Sequence, residues 1–227
     1  MTDSKHFGLV GGLGVGATVL YYQGIAAACA QRGIVPRLTI ANAHAPTALA
    51  LVQAGRIDDL ATYLAGLVNE LAAASASFFA IPAITPHICL AQLKTRITLP
   101  IVDLLEVTAK RLRERRLSRV ALFGTKFTID SNFFGALGTI DIVRPKDDEV
   151  GEIHRIYLEL ATHGRASADD QARLRDLALT ICRRDRVEAI VLAGTDFNLV
   201  FDETNAGFPA VDVAAAHIDA IMARMAP

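Results

Sequence analysis

Two stretches of this chain repeat one layout at a near-constant interval. That recurrence restricts the fold more than any single motif does. Gly12 closes the first apolar run, and Gly124 closes the first run of the second half, 112 positions later. Ala83 and Gly194, each just past a later apolar run, stand 111 positions apart. Short apolar runs alternate with helical periods throughout, which predicts parallel sheets with helices on both faces. A repeat of this length predicts a duplicated α/β unit. The expected lobes are residues 1–98 with 208–227, and residues 99–207. Ligands in such sheets bind beyond the carboxyl ends of the strands. Two facing units would therefore enclose a cleft lined by residues 11–16, 83–87, 124–128 and 194–196.

In the first half, strands are predicted at Phe7–Gly11, Leu38–Ala41, Phe78–Ile81 and Pro100–Leu104. Helices are predicted over Ala17–Arg32, closed by Gly33, over Ile57–Ala74, from about His87, and up to Arg116. The second half predicts strands at Val120–Phe123, Ile140–Val143, Ala189–Leu192 and Ala210–Val213. Its helices are predicted near Asp130–Leu137, at about 148–163 and 168–184, and at the end to Met225. The helix at 168 opens on Ser167 with Asp170 three residues later, a capping spacing.

Charge excludes some partners. The 23 basic and 24 acidic residues nearly cancel, so no electrostatic pull toward nucleic acid or an anionic membrane is expected. The basic run Lys110–Arg116 contains Glu114 and reads as the solvated last turn of a helix. Cys29, Cys89 and Cys182 are widely spaced and odd in number. They suggest no disulfide framework and point to a reducing, cytoplasmic compartment. Residues 7–20 and the stretch 71–93, which lacks Asp, Glu, Lys and Arg, imitate membrane signals. Five glycines interrupt the first, and Pro82 and Pro86 the second, so neither is expected to be a leader or a span.

Four loops carry a resemblance. Gly8-Leu9-Val10-Gly11-Gly12-Leu13-Gly14-Val15-Gly16-Ala17-Thr18, followed by Tyr21-Tyr22, is similar to the opening glycine loop and helix of the aspartate/glutamate racemase family. Phe123-Gly124-Thr125-Lys126-Phe127-Thr128 resembles its mid-chain Thr-rich loop. Pro82–His87 resembles the loop usually written Pro-Cys-Asn-Thr-Ala-His, and Val191–Asp196 the last loop, usually Gly-Cys-Thr-Glu. The resemblance implies two flavodoxin-like halves related by a pseudo-twofold, no cofactor, and a homodimer. It also implies a small amino or carboxylic acid as substrate. Family members remove and return an α-proton with two cysteines on opposite sides of the substrate. Those positions hold Ala83 and Gly194 here. The family's carboxylate-binding Arg falls near Ala48, while a basic residue after a helix-ending glycine is retained as Arg165.

With both thiols gone, the acid–base candidates are His87 and Asp196. Histidine titrates near neutrality, and its alternative role is to bond backbone and hold the loop. Asp196 could equally steady a helix start. Asp103, at a strand end, is weaker. Cys89 should turn to the core, and Cys29 and Cys182 lie in apolar helical stretches. Gly12, Leu13, Gly14, Asn42, Thr85, Thr125, Thr128, Thr195 and Arg165 are the candidate substrate-binding residues. Their hydroxyls and backbone N–H groups could cradle a carboxylate or cap the next helix. The run Gly12–Ala17 fits a dinucleotide fingerprint, but the next strand ends without the acid such a site wants. Histidines 6, 44, 87, 154, 163 and 217 show no metal-ligand spacing, so no metal is expected.

Three functions are carried forward. The first is a cofactor-independent isomerase that cannot use two thiols. The second is a lyase or decarboxylase, although single-thiol decarboxylases of this superfamily need a cysteine absent here. The third is a non-catalytic amino-acid or carboxylate-binding protein.

Overall fold

The structure, a computed structural model, describes residues 4–226. The chain divides into two compact units, one of residues up to Leu104 together with the chain from His217 onward, the other Leu105–Ala216.

In the first unit, β1 (Phe7–Gly11) leads through a glycine loop into α1 (Val15–Gln31) and then β2 (Leu38–Asn42). Two helices follow, α2 (Ala45–Gln53) and α3 (Ile57–Ala73), before β3 (Phe78–Ala80). A 3-10 turn, Thr85–Cys89, runs into α4 (Leu90–Lys94) and β4 (Ile101–Val102). The sheet is parallel with order β2-β1-β3-β4. Every residue of β1 is buried, as a strand covered on both faces requires. Leu60, Leu64, Val68 and Leu71 recur at helical spacing on α3 and are wholly buried in the core. Each such side chain contributes roughly 1.5–3 kcal/mol by leaving water.

In the second unit, α5 (Leu104–Glu114), which begins at the crossing, precedes β5 (Arg119–Gly124), α6 (Lys126–Asp130) and β6 (Asp141–Val143). The long helices α7 (Asp147–His163) and α8 (Ala168–Asp185) precede β7 (Ala189–Ala193). A 3-10 turn, Thr195–Leu199, and β8 (Ala210–Asp212) follow. The chain then returns to the first unit in α9 (Val213–Met225). The sheet order is β6-β5-β7-β8, again parallel. Each unit thus has one four-stranded parallel sheet, and the strand order is the same in both.

Two expectations need correction. The helix α2 is missing from the expected elements: it is short, opens on Pro46, and sets only Ala48, Leu51 and Val52 against the core. The helix expected near 130–137 stops at Asp130. Asn132, Phe133 and Phe134 hold φ of 54°, 54° and 56°, a left-handed stretch that cannot continue a right-handed helix. Phe133 is wholly buried there, and Phe134 packs on Phe127 at 5.7 Å between ring centroids. Among the described residues, no helix is long and apolar enough to cross a membrane.

Candidate active site

Sheet register makes Ala83 and Gly194 equivalent. β1 sets Leu9 beside Ala80, and the same register carried two residues on sets Gly11 beside Pro82. β5 sets Gly124 beside Ala193. Ala83 and Gly194 each follow the partner of a strand-closing glycine.

In the first unit, the glycine loop is tied by Thr18. Its hydroxyl accepts from the Gly12 N–H at 2.9 Å and donates to the Gly14 carbonyl at 2.8 Å. Gly12 has φ +81°, and a Cβ there would meet Asn42 Oδ1 at 2.6 Å, with the Ala43 carbonyl nearer still. Leu13 packs on the core cluster, and Asn42 is exposed, its amide donating to the Ala43 carbonyl at 3.2 Å. At the β3 end, Ala83 and Thr85 are half-buried. His87 is 3% exposed. Its Nδ1–H donates to the Ala83 carbonyl at 2.8 Å, so Nε2 carries the lone pair. That Nε2 is buried with no hydrogen-bond partner. Burial lowers the His87 pKa, against the nearby Asp103, which raises it, and the ring is neutral at pH 7. Asp103 follows β4, nearly buried, with Lys94 Nζ at 3.1 Å. His217 lies deeper still. Its Nε2–H donates to the Val102 carbonyl at 2.9 Å, and its Nδ1 accepts from Tyr21 Oη at 2.9 Å. Cys89 faces the core, donating to the Pro86 carbonyl at 3.2 Å. Burial pushes its thiol up to about 11, which leaves it an unreactive thiol. Cys29 is buried and Cys182 half-buried.

In the second unit, Thr125 caps α6. Its Oγ1 accepts from the Thr128 N–H at 3.0 Å and meets the Thr128 hydroxyl at 3.0 Å, so these two hydroxyls serve the cap. Gly194 has φ −150°, an extended conformation open to any residue. Its reason is space. A Cβ there would meet Tyr157 Cδ2 at 2.8 Å and Cζ at 2.9 Å, with Cε2 closer. The Tyr157 hydroxyl donates to Asp196 Oδ2 at 3.0 Å, and Asp196 and Thr195 are each 2% exposed. Burial first, then the Asp196 charge, raises the Tyr157 pKa well above its ordinary value. One turn before Tyr157, His154 Nδ1 accepts from the Lys126 N–H at 3.2 Å. Arg165 follows Gly164, which closes α7 at φ 69°. It lines a hollow of about 430 Å³ with Arg155, Glu159, His163, Ala166, Ser167 and Asp170.

The structure groups Gly194, Asp196 and Thr195 with Tyr157, which the sequence did not single out. The signal was indirect: a glycine with ordinary backbone where a side chain was expected. Nothing in sequence spacing links position 157 to it. Among the described residues, no group of three or more His, Cys, Asp or Glu side chains is placed to hold a metal ion.

Two sheets of one order, with polar loops at their carboxyl ends, define a duplicated parallel α/β protein. The chain belongs to the Asp/Glu/hydantoin racemase family, whose sequence profile matches residues 10–221. Similar solved structures include a putative Asp/Glu racemase from Yersinia pestis, with TM-score 0.84 and 21% identity over 98% of this chain and 100% of that one. An aspartate racemase homologue from Pyrococcus horikoshii OT3 gives 0.82 and 21%, with the same coverage. Glutamate racemase from Francisella tularensis, in complex with D-glutamate, gives 0.63 and 12% over 98% of this chain and 81% of that one. At these identities the likeness carries the fold.

Proposed function

We propose that this chain is a cofactor-independent, racemase-like isomerase of a small amino or carboxylic acid, with His87 and Asp196 in place of thiols as its acid–base groups. One observation carries the reading. Each strand end that lacks its thiol keeps a buried ionisable group, His87 at 3% and Asp196 at 2% exposure. Burying such groups is costly, and they concentrate at functional sites. His87 supplies the base. Its Nδ1–H is fixed on the Ala83 carbonyl, and the neutral ring leaves Nε2 as a lone pair. When the α C–H bond breaks, the proton goes to Nε2 and the electron pair into the adjacent carboxyl group. Asp196 is the acid–base group of the other strand end. Family membership and the D-glutamate complex of the Francisella enzyme support a small amino acid as substrate, and Arg165 would meet its carboxylate.

Incubation in deuterated water with a panel of amino and carboxylic acids tests this. An active enzyme places deuterium at the α-carbon. His87→Ala and Asp196→Ala should each lower that rate at least a hundredfold, the usual worth of a positioned acid or base. Unchanged rates in both variants would remove the two residues from the mechanism.

A second reading, a carboxylate- or amino-acid-binding protein without turnover, is favoured by the burial of His87 Nε2. Ligand-induced melting shifts with no exchange on any compound would select it. For the homodimer, we propose the exposed stripe Val15, Val19 and Tyr22 on α1 as the contact. Light scattering of Val19→Glu, expected to be monomeric, tests it.

A further inference from the structure

We infer that Tyr157 takes over the place of the residue-194 side chain and, with Asp196 behind it, forms a hydrogen-bond-accepting pocket for the amino group of the ligand. The inference rests on the reading of the β7 end as the ligand site, and it narrows the substrate class to amino compounds.

Three observations combine. The first is steric. The backbone at Gly194 would admit any residue, yet a Cβ there collides with the Tyr157 ring. The ring and a side chain at 194 are alternative occupants of one space. The second is that the ring has support. It packs on Phe197 at 5.1 Å between centroids, and Phe197 packs on Phe123 at 6.3 Å. Stepping aside would therefore break an aromatic stack in the core of the unit. The third concerns the proton. The Tyr157 hydroxyl has one hydrogen, and it is committed to Asp196 Oδ2 at 3.0 Å.

A phenol oxygen whose hydrogen is already donated can only accept. Its pKa is raised by burial and by the Asp196 charge, so it keeps the hydrogen. It is therefore a poor base for removing an α-proton. A carboxylate of the ligand brought to the same place would meet lone pairs with Asp196 behind them. An ammonium or amide N–H would meet an acceptor and a favourable charge. The Tyr157 phenol thus serves recognition of an N–H donor rather than proton transfer. His154, one turn away, is held by the Lys126 N–H, and burial lowers its pKa. It adds no positive charge that would invert the preference.

The experiment compares aspartate with succinate, the same dicarboxylate without the amino group, by calorimetry on wild type and Tyr157→Phe. The inference expects aspartate to bind at least tenfold more tightly than succinate in wild type. Tyr157→Phe should remove that preference and lower Tm only by the lost Asp196 hydrogen bond, since the ring stays. Equal binding of the two probes to wild type overturns it, as does an undiminished preference in Tyr157→Phe, or the binding of neither. A second series needs no ligand. Gly194→Cys should lower Tm by roughly 5–10 °C through overpacking. In a Tyr157→Ala background the same substitution should cost almost nothing further. A Gly194→Cys protein as stable as wild type overturns the exchange of space. Aspartate binding without deuterium exchange would defeat the isomerase reading and leave this inference standing.

Discussion

The ends of β3 and β7 occupy equivalent places in sheets of the same order, yet they are filled in opposite ways. At the first, Ala83 shortens the side chain to a methyl, and His87 binds back to its carbonyl. At the second, Gly194 removes the side chain altogether, and a ring from α7 moves into the space. The next strand ends differ too. Asp103 after β4 pairs with Lys94, whereas Asp212 at the end of β8 accepts from the Ala215 N–H at 2.7 Å and bonds the Asn198 amide. A shared topology therefore fixes where a functional group can stand, while the surrounding helices decide which group stands there.

The largest effect should separate the two strand-closing glycine loops. Gly12→Ala puts a Cβ on the Ala43 carbonyl and forces a non-glycine residue to φ +81°. It should cost about 3 kcal/mol or more. Its register counterpart Thr125 has φ −64°, and Thr125→Ala should lose only the cap, about 1 kcal/mol. Urea unfolding of both variants measures the contrast. Equal costs would mean that the two loops are built alike after all.

Acidity should sharpen the comparison next. Burial lowers His217 in the first unit to about 4. Below pH 6.5 the unfolded chain takes up a proton that the fold refuses, so stability is lost as pH falls from about 6.5 to about 4. The loss is about 3 kcal/mol at 1.36 kcal/mol per pKa unit. Burial raises Asp212 in the second unit to about 6. There the fold holds a proton that the unfolded chain releases, so stability is lost as pH rises from 3.8 to about 6, again by about 3 kcal/mol. The two slopes oppose. Asp212→Asn should expose a steep acid destabilisation between pH 6.5 and 4, and His217→Asn should flatten or reverse it. Identical pH profiles in wild type and both variants would show that neither group is buried as described.

The smallest effect concerns Ala83 after β3. Ala83 is half-buried and packs on the core cluster. Ala83→Cys should shift Tm by less than about 2 °C, unlike Gly194→Cys. A large loss would show that the β3 end is as tightly filled as the β7 end.

Much of the fold was legible because it rests on local periodicity. The buried run Phe7–Gly11 and the amphipathic stripe of Ile57–Ala73 carry their own pattern. The capping pair Ser167 and Asp170 announced α8, and Ser167 Oγ accepts the Asp170 N–H at 3.0 Å. The helix α2 escaped because it is only nine residues long, too short for the face made by Ala48, Leu51 and Val52 to repeat. The break after Asp130 escaped because three successive left-handed residues are set by how Phe133 and Phe134 pack, not by glycine. At the site, Ala83, Gly194, His87 and Asp196 were readable as positions. The Thr125 and Thr128 hydroxyls could be read as cap and as cradle together, and the structure shows the cap bond.

The sequence by itself determined the duplicated α/β layout, the family and the presence of Ala83 and Gly194 after the two strands, since these depend on the order and identity of residues along the chain. Only tertiary structure decided what fills the vacated space. Tyr157 lies 37 positions from Gly194, and their mutual exclusion exists only where α7 crosses the end of β7. Van der Waals volume and the direction of a single hydroxyl hydrogen, properties of the packed state, set the chemistry there.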